Sequence, residues 1–195
     1  MKKLYFSVNI ILLFMLFQSP VHSQENRILS YAPMGFANKV RVKVEFPYKT
    51  EFSYGTFLNL YYANFKGFCI EPFARYYLSE ASPCGAYLQA KLSAGYFSSN
   101  IEYNNGFAEE DPQYKTFKET ADFVGLGVGF AFGYQFQNRK MRYWDFFGGY
   151  KYMPFLGPEF KSKDNAVYYS DSDFLWLSTG PGSMFNFHFG IGYSF

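Results

Sequence analysis

Apolar and polar residues alternate along most of this chain. In the closing stretch "MFNFHFGIGYSF", Phe185, Phe187, Phe189, Ile191, Tyr193 and Phe195 fall on one side of an extended strand. Asn186, His188, Gly190, Gly192 and Ser194 fall on the other. The same period of two recurs upstream. "KVRVKVEF" sets Val40, Val42, Val44 and Phe46 against Arg41, Lys43 and Glu45. "GFCIEPFARYYL" sets Ile70, Pro72, Ala74, Tyr76 and Leu78 against Glu71, Phe73, Arg75 and Tyr77. "GAYLQAKLSAGYF" sets Leu88, Ala90, Leu92, Ala94 and Tyr96 against Gln89, Lys91, Ser93 and Gly95. From Ala121 to Phe136 one face carries Val124, Leu126, Val128, Phe130, Phe132, Tyr134 and Phe136. The other carries Gly125, Gly127, Gly129, Ala131 and Gly133. A soluble sandwich would set polar residues opposite its apolar face. A nearly empty face suits the inside of a narrow barrel, where small residues leave room for large neighbours. "RYWDFFGGYKY" adds Trp144, Phe146, Tyr150 and Tyr152 against Asp145, Phe147 and Lys151.

Turn signals order these strands. "PYKTE", "SEASPC" and "QNRKM" are short connections, and antiparallel order places all three on one side. The long connections, about Ser98–Glu119 and Met153–Pro181, then fall together on the other side. One strand is needed ahead of Lys39 to bring the two chain ends to the same side, and "RILSYAP" supplies it. The count is about eight, an even number as bacterial barrels require. Tyr and Trp cluster near strand ends, at Tyr61–Tyr62, Tyr76–Tyr77, Tyr143–Trp144, Tyr150, Tyr152 and Tyr193. They read as two interfacial girdles.

The N-terminus changes the picture from β protein to exported β protein. Lys2 and Lys3 precede an apolar run from Val8 to Phe17, and Val21-His22-Ser23 offers a cleavage site. This reads as a signal peptide over residues 1–23, leaving residues 24–195 as one barrel domain. The run is short of the roughly 20 residues a spanning helix needs. Aromatic content is 24% while mean hydropathy is only −0.18. Both hold together if greasy and polar residues alternate, whereas a helical membrane protein segregates them. After the signal no apolar run approaches helix length, and "FVGLGVGFAFGYQFQN" is too glycine-rich for a helix. Only helices and closed barrels satisfy their backbone in lipid. The alternative fold is a secreted soluble β-sandwich. Of 18 basic residues, Lys2 and Lys3 leave with the signal, so 16 remain against 16 acidic ones. That balance gives no reason to expect nucleic acid as a partner.

The segments "IEPFARYYL", "GAYLQAKLSAGYF", "GLGVGFAFGYQF", "WDFFGGYKY" and "FGIGYSF" carry a family likeness. Over most of its mature length the chain resembles a family of small, mostly uncharacterised outer-membrane β-barrel proteins of Gram-negative bacteria. The resemblance specifies fold better than activity. It implies that Phe189, Ile191, Tyr193 and Phe195 help the outer-membrane insertion machinery recognise the chain.

The inward faces hold Arg41, Lys43, Glu45, Glu71, Arg75, Lys91, Asp145 and Lys151. An eight-stranded barrel is just wide enough for side chains to fill it. Isolated charges inside would be costly, so these eight are expected to pair into a network that plugs the lumen. With a tight turn at "SEASPC", Glu71 faces Lys91. His188 is the only histidine outside the signal, and it points inward. Ser183 and Ser194 are too far along its strand to serve as a His-assisted nucleophile, so no catalytic residue is assigned. Cys69 and Cys84 are expected about 30 Å apart at the strand rise, and therefore as free thiols. Asp164, Asp171 and Asp173 are candidate ligands of a divalent cation, but their spacing matches no EF-hand loop. No metal and no cofactor are assigned. Phe174, Leu175, Trp176 and Leu177 are greasy for a loop. They are expected to fold over the barrel mouth, to extend the last strands or to bind a partner.

The resulting expectation is a monomeric, all-β, transmembrane, antiparallel up-and-down barrel in the cell outer membrane. Its expected partners are outer-membrane lipids, lipopolysaccharide and, during biogenesis, the insertion machinery. Its expected role is structural or surface-interacting, with a filled lumen. The alternatives are a narrow channel or small apolar-solute conduit, and a lipid-modifying enzyme.

Overall fold

The computed structural model describes residues 27–33, 38–79, 82–104, 110–139, 142–154, 167–168, 176–178 and 180–195. The signal-peptide reading lies outside the described residues. So do Asp164, Asp171, Asp173, Phe174 and Leu175 of the last long connection.

The strands are β1 (Ile28–Tyr31), β2 (Lys39–Pro47), β3 (Phe52–Tyr62), β4 (Phe65–Tyr77), β5 (Gly85–Asn104), β6 (Thr116–Gln137), β7 (Arg142–Tyr152), β8 (Val167–Tyr168) and β9 (Phe185–Ser194). Each neighbour in sequence pairs antiparallel with the next from β1 to β7. β9 pairs with β7 on one side and β1 on the other, which closes the ring at eight strands. The two-residue β8 stands outside the ring and pairs with the far end of β5. Closure removes the free edges that an open sheet of this apolarity would expose.

The period of two does the folding work. The face carrying Val124 to Phe136 points outward, with Phe130 68% exposed. The Gly face of β6 points inward. A side chain at Gly133 would strike the ring of Tyr87, and one at Gly125 would strike Met153. The glycines therefore give up volume that large side chains from other strands occupy. Outward positions from Val124 to Phe136 carry no charge, a band of about 30 Å at ~3.3 Å per residue and a tilt of about 40°. Lys66 and Asp122 lie outward at its upper limit, and Arg142 at its lower limit.

Two expectations need correction. The girdle reading assigned consecutive aromatics to one surface, but adjacent strand residues face opposite ways. Tyr62, Tyr76, Tyr150, Tyr152 and Tyr193 do point outward. Tyr61, Tyr77 and Tyr143 are buried inside. The long connection at Ser98–Glu119 is also half strand. The β5–β6 ladder runs on to Asn104↔Thr116, leaving only residues 105–115 to connect it. Above the apolar band the two strands have polar residues on both faces, so the hydrophobic signal ends where the pairing does not. Backbone hydrogen bonds continue the ladder without a greasy face to mark it. At its outer end β8 adds Tyr168 opposite Tyr103 and Val167 opposite Asn104.

The three short turns lie at one end of the barrel, hereafter the lower end, with both described chain ends. The upper end carries the connections at 32–38, 63–64, 105–115 and 153–184. Among the described residues no helix is long and apolar enough to cross a membrane, which says nothing about strands.

Candidate functional site

The barrel interior is built in layers. At the lower end β2, β4 and β7 bring Lys43, Glu45, Arg75 and Asp145 together. Lys43 Nζ lies 2.7 Å from Glu45 Oε2 and 2.6 Å from Asp145 Oδ2. The Arg75 guanidinium spans the same two acids, at 2.9 Å to Glu45 and 2.8 Å to Asp145. All four side chains are at most 1% exposed. Neutral donors complete the carboxylates. Ser53 and Tyr77 hydroxyls donate to Glu45 Oε1, and the Tyr87 hydroxyl donates to Asp145 Oδ1 at 2.5 Å. Gln135 Oε1 accepts from Lys43 and Arg75, and its amide donates to the Pro83 carbonyl, tying the layer to the β4–β5 turn. The Arg75 guanidinium stacks over the Tyr87 ring at 4.1 Å. Two cations meet two anions, and both carboxylates are fully engaged.

Above lie Phe57, Phe73, Ala131 and Phe147, while Tyr77 and Tyr87 of the same apolar cluster sit at the lower end beside the β4–β5 turn. Above that, Glu71 collects three cations. Arg41 Nη2 is 3.3 Å and Lys91 Nζ 3.1 Å from its Oε2, and Lys151 Nζ is 3.3 Å from its Oε1. Ser93 donates to the same carboxylate. Arg41 also donates to Asn59 Oδ1 at 2.6 Å. Lys39, half-buried, donates to the Tyr61 hydroxyl at 3.4 Å and has no carboxylate within ion-pair distance among the described residues. The upper layer therefore sets four cations around one anion.

The eight charges read from the sequence are all inside and all in ion pairs, in two clusters rather than one. The Glu71–Lys91 contact forms diagonally. Lys91 lies opposite Phe73 in the ladder, and the register places Ser93 across from Glu71. A shift of two residues leaves every side chain on its predicted face, so parity alone cannot detect it.

The upper mouth is closed by residues the pattern left undecided. Trp176 is fully buried and packs edge-on against Phe65 and Phe97, with ring centroids 5.3 and 5.2 Å away. Its indole N–H donates to the Met153 carbonyl at 2.7 Å. Tyr61, Cys69, Phe123 and Met153 complete this cap, with Leu177 packed against it. Of the three fates considered for the greasy loop, folding over the mouth is the one Trp176 and Leu177 adopt. Gly182 lies so close to the indole that any side chain there would displace it. Lys151 hydrogen-bonds the Pro181 carbonyl, fastening the segment to the layer beneath.

His188 is buried on β9. Its ring stacks on Phe147 at 4.8 Å and meets Phe57 edge-on at 5.3 Å. Its Nε2 is 3.7 Å from Asp145 Oδ2, and neither ring nitrogen has a hydrogen-bond partner among the described residues. Ser183 precedes β9 and Ser194 ends it, so neither reaches His188. Cys69 is buried in the cap and Cys84 sits in the lower turn, both as free thiols. Burial pushes the Cys84 thiol above its ordinary pKa. Among the described residues no group of three or more His, Cys, Asp or Glu is arranged to hold a metal.

A partly open cavity of about 750 Å³ extends from the β1–β2 seam, where Lys39 and Arg41 border it with His188, across the outer faces of β9, β7 and β6 at Phe187, Phe146 and Phe132. β1 is only four residues long, so its ladder with β9 stops at Tyr31↔Ile191. Above that point, residues Phe185 to Gly190 pair only with β7 among the described strands.

The sequence singled out the eight charges and His188 as site residues but not Lys39, Asn59, Tyr87, Gln135 or Gln89, although Gln89 was placed on the inward face of its strand. All five also fall on the inward parity of their strands, so the alternation that found the charges was available for them as well. No protein-family model, curated protein or solved structure matches this chain.

Proposed function

We propose that this chain is an outer-membrane barrel whose lumen is sealed to water and ions, and which serves as an anchor for the surface formed by its upper connections. The observation that carries the reading is the lower ionic layer. Lys43, Glu45, Arg75 and Asp145 join strands from opposite sides of the ring and fill the lumen with mutually satisfied charges. The Trp176 cap supports the reading from the other end. The charge-free outer band and its exposed Phe, Leu and Tyr side chains support a lipid environment, since a surface this apolar is costly in water. The outer tips of the β5–β6 hairpin, carrying the β8 addition, supply the projecting surface. On this reading Phe189, Ile191, Tyr193 and Phe195 lie on the lipid-facing side of the last strand, where the insertion machinery would meet them. The protein inserts among outer-membrane lipids and lipopolysaccharide as a monomer.

The test is conductance. The refolded protein, verified as a barrel by heat-shifted gel mobility, is placed in a planar bilayer. A silent bilayer is expected. Discrete, reproducible current steps would replace this reading with that of a narrow conduit.

A further inference from the structure

We infer that the upper layer is a binding site for the anionic headgroup of a single-chain amphiphile, a carboxylate or phosphate on an acyl chain, entering sideways from the bilayer through the β1–β9 seam. The inference rests on the membrane-barrel reading.

Three independent observations meet at this place. The first is charge. Lys39, Arg41, Lys91 and Lys151 surround Glu71 alone, whereas the lower layer balances its charges. Uncompensated cations in a buried site are costly, and a bound anion removes that cost. The second is unsatisfied polarity. The Asn186 amide nitrogen and His188 Nδ1 have no hydrogen-bond partner among the described residues, whereas His188 Nε2 lies 3.7 Å from Asp145 of the lower layer. These side chains are only 6% and 7% exposed. Buried polar groups of this kind ordinarily have partners. The third is shape. The cavity of about 750 Å³ joins Lys39, Arg41 and His188 on the inside to Phe187 and Phe189 on the outer face. Its volume falls within the roughly 300–1,000 Å³ of small-molecule sites. Its two ends have opposite character. The inner end offers cations and donors, and the outer end offers aromatic rings in the apolar band. Phe187 is 76% exposed, the most of any large apolar residue described. A free inorganic anion would use only the inner end, while an uncharged chain would use only the outer one. An anionic amphiphile uses both.

The seam explains how such a molecule enters without opening either sealed end. The β1–β9 ladder ends at Tyr31↔Ile191, below this cavity, so Phe187 and Phe189 border it without a β1 partner.

The test titrates the refolded protein in nonionic micelles, by calorimetry, with palmitate, hexadecyl phosphate, hexadecanol and inorganic phosphate. The same titrations are made with Lys39→Met. Among the described residues the Lys39 ammonium hydrogen-bonds the Tyr61 hydroxyl, lies over the Tyr61 ring and is in no ion pair, so no described carboxylate is orphaned and the barrel stands, as heat-shifted mobility would verify. Saturable binding of an anionic amphiphile at one per chain is expected. It should be weakened roughly tenfold or more by Lys39→Met and by replacing the head with an alcohol. Equal binding of hexadecanol would reduce the effect to chain partitioning and overturn the inference. Inorganic phosphate binding as tightly as hexadecyl phosphate would overturn the sideways route. So would no binding at all, or affinity unchanged in Lys39→Met. A silent bilayer with no amphiphile binding would remove this inference alone, whereas a conducting one would remove the sealed-lumen reading.

Discussion

The two ionic layers of the lumen use the same residue types to opposite ends. In the lower layer two cations and two carboxylates share a pair of acceptor atoms, with Tyr, Ser and Gln filling the remaining valences. In the upper layer one carboxylate holds three cations at 3.1–3.3 Å, with a fourth nearby. The lower contacts are shorter, at 2.6–2.9 Å. A balanced, fully bonded cluster behaves as a plug, because removing any member strands a charge. An unbalanced cluster has spare positive potential, and can lose a cation or gain an anion with little penalty. Burial alone does not distinguish them, since the ion-paired side chains of both layers are at most 3% exposed.

The sharpest way to break this comparison is to remove the single upper anion. Glu71→Gln leaves Arg41, Lys91 and Lys151 with no carboxylate. It should cost at least the upper part of the about 3–5 kcal/mol seen when a buried pair is broken. Urea unfolding from micelles measures it, and a loss smaller than that of Asp145→Asn would refute the contrast. Asp145→Asn comes next. Lys43 and Arg75 keep Glu45, so the expected loss is about 3 kcal/mol.

Cation removal should separate the layers in size. Lys43→Met leaves Glu45 and Asp145 sharing Arg75 and should cost about 2–3 kcal/mol. Lys91→Met leaves Glu71 with Arg41 and Lys151 and should be within about 1 kcal/mol of neutral. Similar losses in the two variants would mean that the upper layer is a plug like the lower. Trp176→Ala should loosen the cap, raising proteolysis of the 153–184 connection, yet leave the bilayer silent because the lower layer still closes the lumen. Current through that variant would show that the cap is the seal.

The smallest effect concerns the thiols. With its pKa raised by burial, Cys84 forms the reactive thiolate only as pH climbs past its ordinary range. Its alkylation in the folded protein should be slow near neutral pH and accelerate in mild alkali. Cys69, fully buried in the cap, should react only after unfolding.

Much of the inside was legible because the period of two is rigid. Once one residue of a strand is assigned inward, every second neighbour follows, and Arg41, Lys43, Glu45, Glu71, Arg75, Lys91, Asp145, Lys151 and His188 all obey. The girdle reading failed where that rule was relaxed, at Tyr61, Tyr77 and Tyr143. The β5–β6 extension was hidden because backbone pairing outlasts the apolar face that marks it.

The sequence by itself determined the strand count, their antiparallel order and which side chains share the interior. These are local properties, set by alternation and turn length. Only the tertiary structure decided how the interior charges divide. Lys43 meets Asp145 across 102 residues of chain and Arg75 meets it across 70. Such contacts depend on the stagger of the closed ring, and a register shift of two residues changes partners without changing faces. Ring closure also decided that the short β1 leaves the upper half of β9 beside a cavity, and that Trp176 closes the mouth.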